Sequence, residues 1–385
     1  MKRIAVVIAV ALAVLAAAEE DPVAPGKPPD GAELRRPPPD PAKPPKPPDA
    51  KAPPTAEQLA AATTRGLAAL TKMQGEDGHW GDKFPVAVTS VAALSILASS
   101  DDPFADPALW KAYDWLLKQQ KNGDFRAEGH TWLHSQGFAT LFLAEFYGRA
   151  LLNKPPPERV KLDELKALVA QAATLVADAQ SAEGGWWYHK AAGGHEHEGS
   201  TTVCAVQALR AAKNFGIPVS KEVLDRGFAY LKATQCADGG FEYQKGTGTS
   251  MVAGTAGALA TLVLMSRLDE KVLMDAIGYL GRQQVAGLAA DRFPDYALFY
   301  VTMAMTVVNE EYGKLKPEAA AWIPAVHEAV VASQREDGTW ANIGWMGSQE
   351  SSSAYATGMY VLTLSGPQGR LSIFHRDAPE LPGGK

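Results

Sequence analysis

Five times in this chain a Gln is followed four residues on by a Gly and six residues on by a large aromatic side chain. The copies are Gln74-Gly-Glu-Asp-Gly-His-Trp80, Gln119-Gln-Lys-Asn-Gly-Asp-Phe125, Gln180-Ser-Ala-Glu-Gly-Gly-Trp186, Gln235-Cys-Ala-Asp-Gly-Gly-Phe241 and Gln334-Arg-Glu-Asp-Gly-Thr-Trp340. A degenerate sixth copy stands at Gln283-Gln284 and lacks its aromatic. Successive copies lie about 45 to 60 residues apart, a period that marks stacked supersecondary units burying their apolar faces against neighbours.

Each unit has the same parts. An amphipathic segment precedes the Gln, the Asp-Gly or Gly-Gly step makes a turn that favours glycine's positive φ, and a more apolar segment follows. Start signals agree: Thr55-Ala-Glu-Gln58 reads as a capping box, Asp106-Pro107 as an N-cap before a proline at the first helical position, and Ser220 as the cap of a helix running to Gln235. The second segments, near 84–99, 131–149, 199–215, 249–267, 294–309 and 351–365, are rich in Ala, Leu, Val, Met and Thr nearly all round, as in helices covered on both sides. No long period-two alternation argues for strands. Twelve helices in six pairs predict an all-α fold, an (α/α)6 toroid with an outer and an inner ring.

The toroid is expected over 55–370, with residues 371–385 as a C-terminal tail. Ahead of it, Lys2 and Arg3, the apolar run Ile4–Leu15 and Ala16-Ala17-Ala18 have the order of a secretory signal peptide, which predicts cleavage after Ala18 and an exported, periplasmic or extracellular protein. Residues 19–54 hold 14 of the 27 prolines and too little apolar surface to offset the entropy of ordering, so they read as an extended linker. The net charge of −6, with basic residues scattered, argues against a nucleic-acid partner. Only Cys204 and Cys236 are present. They allow one disulfide or two free thiols and cannot form a disulfide scaffold.

The Gln-x-x-Asp-Gly-x-Trp units resemble the repeats shared by squalene and oxidosqualene cyclases and protein prenyltransferase β-subunits. The resemblance implies that Gln74, Trp80, Gln180, Trp186, Gln235, Phe241, Gln334 and Trp340 are structural ties between repeats. It does not carry the chemistry over. The cyclases protonate their substrate with an Asp-x-Asp-Asp motif, and the adjacent pair here, Asp101-Asp102, falls in a loop beside Pro103. The prenyltransferases hold zinc with an Asp-x-Cys pair and a later His. The matching place here reads Thr202-Val203-Cys204, and the later inner helices contain no His. The stretches Trp132–Tyr147, His197–Thr202 and Tyr355–Tyr360 are similar to an exported bacterial branch of the superfamily, which implies no particular activity.

In a toroid of this kind the residues that begin each inner helix face the mouth of the central cavity. That set contains His130, Trp132, His134, His197, Glu198, Ser200, Thr201, Tyr296, Tyr300 and Tyr355 as ligand-lining candidates. The groups able to act as acid, base or nucleophile partner are His134, Glu145, Glu198, Asp291 and Asp295. His134 and Glu145 are eleven residues apart, about 20° round a helix, so they share one stripe and read either as an acid/base pair or as a carboxylate bonded to a neighbouring helix. His195-Glu196-His197-Glu198 is the densest ligand cluster. With His134, the pair His195 and His197 suits zinc, though the same run also reads as an exposed loop beside Gly193-Gly194. No other cofactor is expected.

Three function classes remain open. The first is a binding scaffold using the cavity for an apolar, terpenoid-like ligand or the rim for an envelope protein. The second is a terpenoid cyclase or prenyltransferase-like enzyme. The third is a polysaccharide lyase or hydrolase acting on a glycan through Glu198, Glu145, Asp291 or the histidines.

Overall fold

A computed structural model describes residues 53–125, 132–189, 194, 196–265, 270–312, 321–340 and 348–381. The leader, the linker up to residue 52, His130 and His195 lie outside the described residues, as do the last four residues of the tail, 382–385. No helix among the described residues is long and apolar enough to cross a membrane.

Among the described residues, twelve helices alternate in character: α1 (Ala56–Met73), α2 (Pro85–Ser99), α3 (Pro107–Lys118), α4 (Trp132–Leu152), α5 (Leu162–Asp178), α6 (Gly199–Asn214), α7 (Lys221–Ala233), α8 (Val252–Leu264), α9 (Glu270–Ala289), α10 (Pro294–Tyr312), α11 (Trp322–Ser333) and α12 (Gln349–Ser365). Odd-numbered helices bury one stripe. In α1 it is Ala62, Thr63, Gly66, Ala69 and Leu70, the i, i+3/i+4, i+7 spacing of a one-faced helix. Even-numbered helices are covered on all sides, as in α2, where every residue from Val86 to Ala98 is buried. The even set forms a closed ring: α2 packs on α4, α4 on α6, α6 on α8, α8 on α10, α10 on α12 and α12 back on α2. This is the expected α/α toroid. Its inner helices begin within a few residues of the sequence-based positions.

The motif turn works alike in four copies. The Gln Nε2 donates to the carbonyl of the motif Gly and to a carbonyl of the next outer helix. These pairs are Gly78 and Ala108 for Gln74 (both 2.9 Å), Gly184 and Val223 for Gln180 (2.8 and 2.9 Å), Gly239 and Val272 for Gln235 (3.1 and 2.9 Å), and Gly338 and Ala62 for Gln334 (3.0 and 2.9 Å). The last pair joins the end of the chain to α1 and closes the ring. The motif Gly is fixed by two demands at once. Its φ is +89° at Gly239, and a Cβ there would stand 2.3 Å from the Asp275 carbonyl oxygen on the next outer helix. The Trp indoles Nε1–H donate back to the preceding outer helix, to Leu70 O, Val176 O and Val330 O at 2.7, 2.7 and 2.8 Å. Trp186 and Trp340 lie against Gly227 and Gly66 of the following outer helix, where a Cβ would come within about 3 Å of each ring.

The aromatic's own N–H is received by the inner helix. Thr89, Thr202 and Thr255 accept from Trp80, Trp186 and Phe241 at 3.0, 3.0 and 2.8 Å. In the second repeat Gln136 takes this place: its Oε1 accepts from Phe125 N at 2.9 Å, and its Nε2 reaches Gly123 O at 2.8 Å and Ala172 O at 3.3 Å. One inner-helix side chain thus makes the bonds that motif Gln and Thr share elsewhere. In the degenerate repeat no motif turn forms. The chain turns within α9 at Gln284, at φ +56° and ψ 172°.

The Thr55–Gln58 capping box and the Asp106 cap form as the sequence implies. Ser220 precedes α7 but makes no side-chain cap bond, a correction to the sequence reading.

The end of the ring where the inner helices finish is crossed by the C-terminal tail. Leu371, Ile373 and Phe374 are buried. Phe374 sits on Gly366 and meets Phe299 edge to face. Two buried charged residues hold this segment. Glu145 accepts from Ser372 N, Ser372 Oγ and Ile373 N at 2.9, 2.6 and 3.0 Å, and Arg210 donates to the carbonyls of Ser372, His375 and Arg376. Burial pushes the Glu145 carboxyl up, against the pull of its donors and of Arg210.

Candidate functional site

At the opposite end the inner helices begin, and the segments after Trp186 and Phe241 each lean back on the inner helix before them. Leu133 N at the start of α4 donates to Tyr188 O at 2.9 Å, and Gly199 N at the start of α6 donates to Tyr243 O at 2.8 Å. This fixes Tyr188 and Tyr243, each two residues past its motif aromatic, and their hydroxyls bond to each other. Below them His134 lies 5.6 Å from the Tyr188 ring and 6.3 Å from Phe138, and Phe138 meets Tyr355 at 6.3 Å. From α10, Tyr296 and Tyr300 pack at 4.3 Å, with the Tyr296 hydroxyl against Gly257.

Glu198 is fully buried as the N-cap of α6 and only accepts. Oε2 takes Ser200 N at 2.7 Å, while Oε1 takes Ser200 Oγ at 2.8 Å and Thr201 N. Ser200 Oγ also lies 3.4 Å from His134 Nε2. A chain of three polar side chains therefore runs from α6 to α4. Burial pushes the Glu198 carboxyl up and holds His134 neutral, down to about 4. His134 nevertheless keeps part of its surface accessible while protein surrounds it, as in a concave site. The Glu198 charge also raises Tyr188, Tyr243, Tyr296 and Cys204 beyond what their burial does.

A model of the prenyltransferase alpha-alpha toroid domain matches residues 55–227 and 218–363. The chain belongs to the prenyltransferase alpha-alpha toroid family. Among solved structures it is similar to the type II terpene cyclase MstE from Scytonema. A variant with merosterolic acid A, described as product, matches at 18% identity and TM-score 0.51 over 81% of this chain and 98% of that one. A second variant, with geranylgeranyl dihydroxybenzoate described as substrate, matches at 17% and 0.51 over 82% and 98%. At such identities the likeness concerns the fold. No curated protein matches.

Among the described residues, the positions that match the zinc ligands of prenyltransferases are otherwise engaged. Thr202 Oγ1 receives Trp186 N and donates to Glu198 O at 2.6 Å. Cys204 is a buried free thiol packed on Gly137, and Cys236 is also free. His197 Nδ1 meets Tyr230 OH at 2.9 Å on the side of α7, whereas His134 faces Ser200. The expected His134–His195–His197 set is thus not brought together by its described members. Among the described residues no group of three or more His, Cys, Asp and Glu could hold a metal ion.

The other candidates separate by depth. Thr201 is buried with its hydroxyl on Trp186 O at 2.7 Å, so it is a backbone tie and not a lining residue, a correction. Glu145 belongs to the tail latch at the far end of α4, so of its two readings the structural, hydrogen-bonded carboxylate holds, with the C-terminal tail as its partner in place of a neighbouring inner helix. Asp291 and Asp295 accept from Phe293 N and Tyr296 N, at 2.9 and 2.8 Å, around the start of α10. Trp132 opens α4 with Nε1 on Asp124 at 3.0 Å. Tyr300 and Tyr355 form the deep aromatic wall, each 1% exposed. Sequence reasoning missed Tyr188 and Tyr243, although their shared offset from the motif aromatic was visible.

A groove of ≈ 600 Å³ also opens on the outer wall between α3 and α5. Its charges pair among themselves, Arg159 with Asp114 and Lys161 with Glu164, so it offers no comparable convergence of buried polar groups.

Proposed function

We propose that this is an exported, ligand-binding toroid that takes an apolar, terpenoid-like molecule into its mouth, and that it is not a cyclase. The observation that carries the reading is the chain from half-buried His134 and Ser200 to fully buried Glu198, set near the rings of Tyr188, Phe138, Tyr296 and Tyr355. A site of a few convergent polar groups in an aromatic wall is the usual composition of a small-molecule pocket. The export part rests on the leader sequence, and the ligand class is in keeping with the terpenoid bound by MstE.

Cyclisation by protonation needs an acid that reaches the substrate, and Glu198 is fully buried with both oxygens turned to Ser200 and Thr201. Hydroxyls near a carbocation would also quench it. The test is calorimetric titration of the purified protein with geranylgeraniol, alongside incubation with squalene, oxidosqualene and geranylgeranyl diphosphate followed by gas chromatography. Saturable binding with negative heat-capacity change and no cyclic product is the expected result. A cyclic product would replace this reading with the enzyme, and absence of binding would end it.

A further inference from the structure

The mouth holds a polar chain whose direction can be worked out atom by atom. Ser200 has one hydroxyl proton and spends it on Glu198 Oε1 at 2.8 Å, because Glu198 already accepts from the Ser200 and Thr201 backbone N–H groups. The Ser200 oxygen is then an acceptor toward His134 Nε2 at 3.4 Å, which places the imidazole proton on Nε2. A neutral imidazole carries one proton, so Nδ1 is a bare lone pair. Nδ1 has no hydrogen bond to a described residue, and the ring keeps accessible surface inside the mouth. Tyr296 supplies a second unmet group: its buried hydroxyl has no partner among the described residues.

The electrostatic setting narrows the ligand further. The carboxyl groups whose charge bears on Tyr296 and Tyr355 are Glu198 and Asp295. Burial keeps His134 from supplying a compensating positive charge at neutral pH. An anionic headgroup entering here would be stripped of water beside a carboxylate. An uncharged hydroxyl would instead donate to Nδ1.

We infer that the His134–Ser200–Glu198 chain is a polarity-fixed hydroxyl reader, selecting an uncharged apolar molecule that ends in an alcohol or phenol over diphosphates, carboxylates and ethers. This rests on the binding reading above and names its ligand class. Ser200 and Glu198 are positioning residues, since they act by fixing the imidazole tautomer, and His134 is the group that touches ligand.

The test compares three probes on the full-length protein by calorimetric titration: geranylgeraniol, its methyl ether and geranylgeranyl diphosphate. The alcohol should bind about ten-fold or more tighter than the ether, equivalent to ~1.4 kcal/mol, and tighter than the diphosphate by at least as much. His134→Phe should keep binding of the ether within about three-fold while erasing the preference for the alcohol. Ser200→Ala, which frees the tautomer with little change in volume, should erode the same preference. Thermal melts confirm that each variant is folded. Equal binding of alcohol and ether by the parent, a tighter diphosphate, or an unchanged preference in folded His134→Phe overturns the inference while leaving the binding reading intact. Binding of none of the three removes both.

Discussion

Trp340 offers a direct measure of how firmly the ring is shut. Its side chain is fully buried, its Nε1 is satisfied by Val330 O at 2.8 Å, and its ring lies across Gly66 of α1 and 5.5 Å from Tyr360. Trp340→Ala removes the ring from between the last and first repeats and leaves the Val330 carbonyl with Ser333 Oγ, at 3.0 Å, as its side-chain donor. Truncation of a buried Trp costs ~3–5 kcal/mol, and this site cannot collapse easily because helices stand on both sides. Unfolding entropy is about 2.1 cal/mol/K per residue, which for the roughly 300 described residues is ~0.6 kcal/mol/K, so Tm should fall by ~5–8 °C. Trp80→Ala and Trp186→Ala should fall in the same range, because their indoles make the same bond to Leu70 O and Val176 O. Scanning calorimetry of the three variants is the assay. Melting points all within about a degree of the parent would refute the tie described here. A loss at Trp80 and Trp186 but not at Trp340 would show that the seam contributes little.

Glu145→Ala should cost ~3–5 kcal/mol by leaving three buried donors of the tail unmet and removing one of the two carboxylates whose charge bears on Arg210, and should expose the tail. Limited proteolysis checks this, and a tail as resistant as the parent's would count against the latch. Acidification should destabilise the fold through His134, whose folded pKa of about 4 lies below the ordinary 6.5. The unfolded chain then binds more protons between those values, so stability is constant above pH ~6.5, falls by up to about 3 kcal/mol on the way to pH 4, and falls no further from this group. His134→Phe should flatten that part of a urea-midpoint profile against pH, and an unchanged slope would refute the assignment. Gly239→Ala, with φ +89° and a carbonyl 2.3 Å from the new Cβ, should lose more than ~2 kcal/mol, read as a lower urea midpoint at unchanged m-value.

The repeat spacing made the architecture legible because a six-residue motif with a Gly at a fixed offset has one geometric use: turning between two helices while pressed against a third. What pattern could not supply was the partner across each bond. Thr89, Thr202 and Thr255 serve one role, yet they follow their aromatics by different intervals, so no offset reveals them. Gln136 replaces both a Thr and a Gln, and only coordinates show that its side chain reaches two carbonyls. The stripe arithmetic that set Glu145 below His134 gave the right azimuth. It said nothing of which end of the ring each would serve, and the tail that claims Glu145 is more than two hundred residues downstream. The mouth was partly legible: His134, Glu198 and Ser200 begin inner helices as expected, while the direction of their hydrogen bonds depends on which donor each acceptor has already met.

The bond from Gln334 to Ala62 O and the contact of Trp340 with Gly66 leave the assembly without a first or last unit. An open solenoid grows or shrinks by whole units, needs polar caps, and has a stability that is nearly the sum of its neighbours' contacts. A closed circle has none of that freedom. Its number of units is a topological constant, because gaining or losing one would alter the angle at every joint. Evolution in such a chain is confined to altering units in place. The second and degenerate repeats look like the products of that confinement, each having lost its usual bonding scheme while keeping its position in the count.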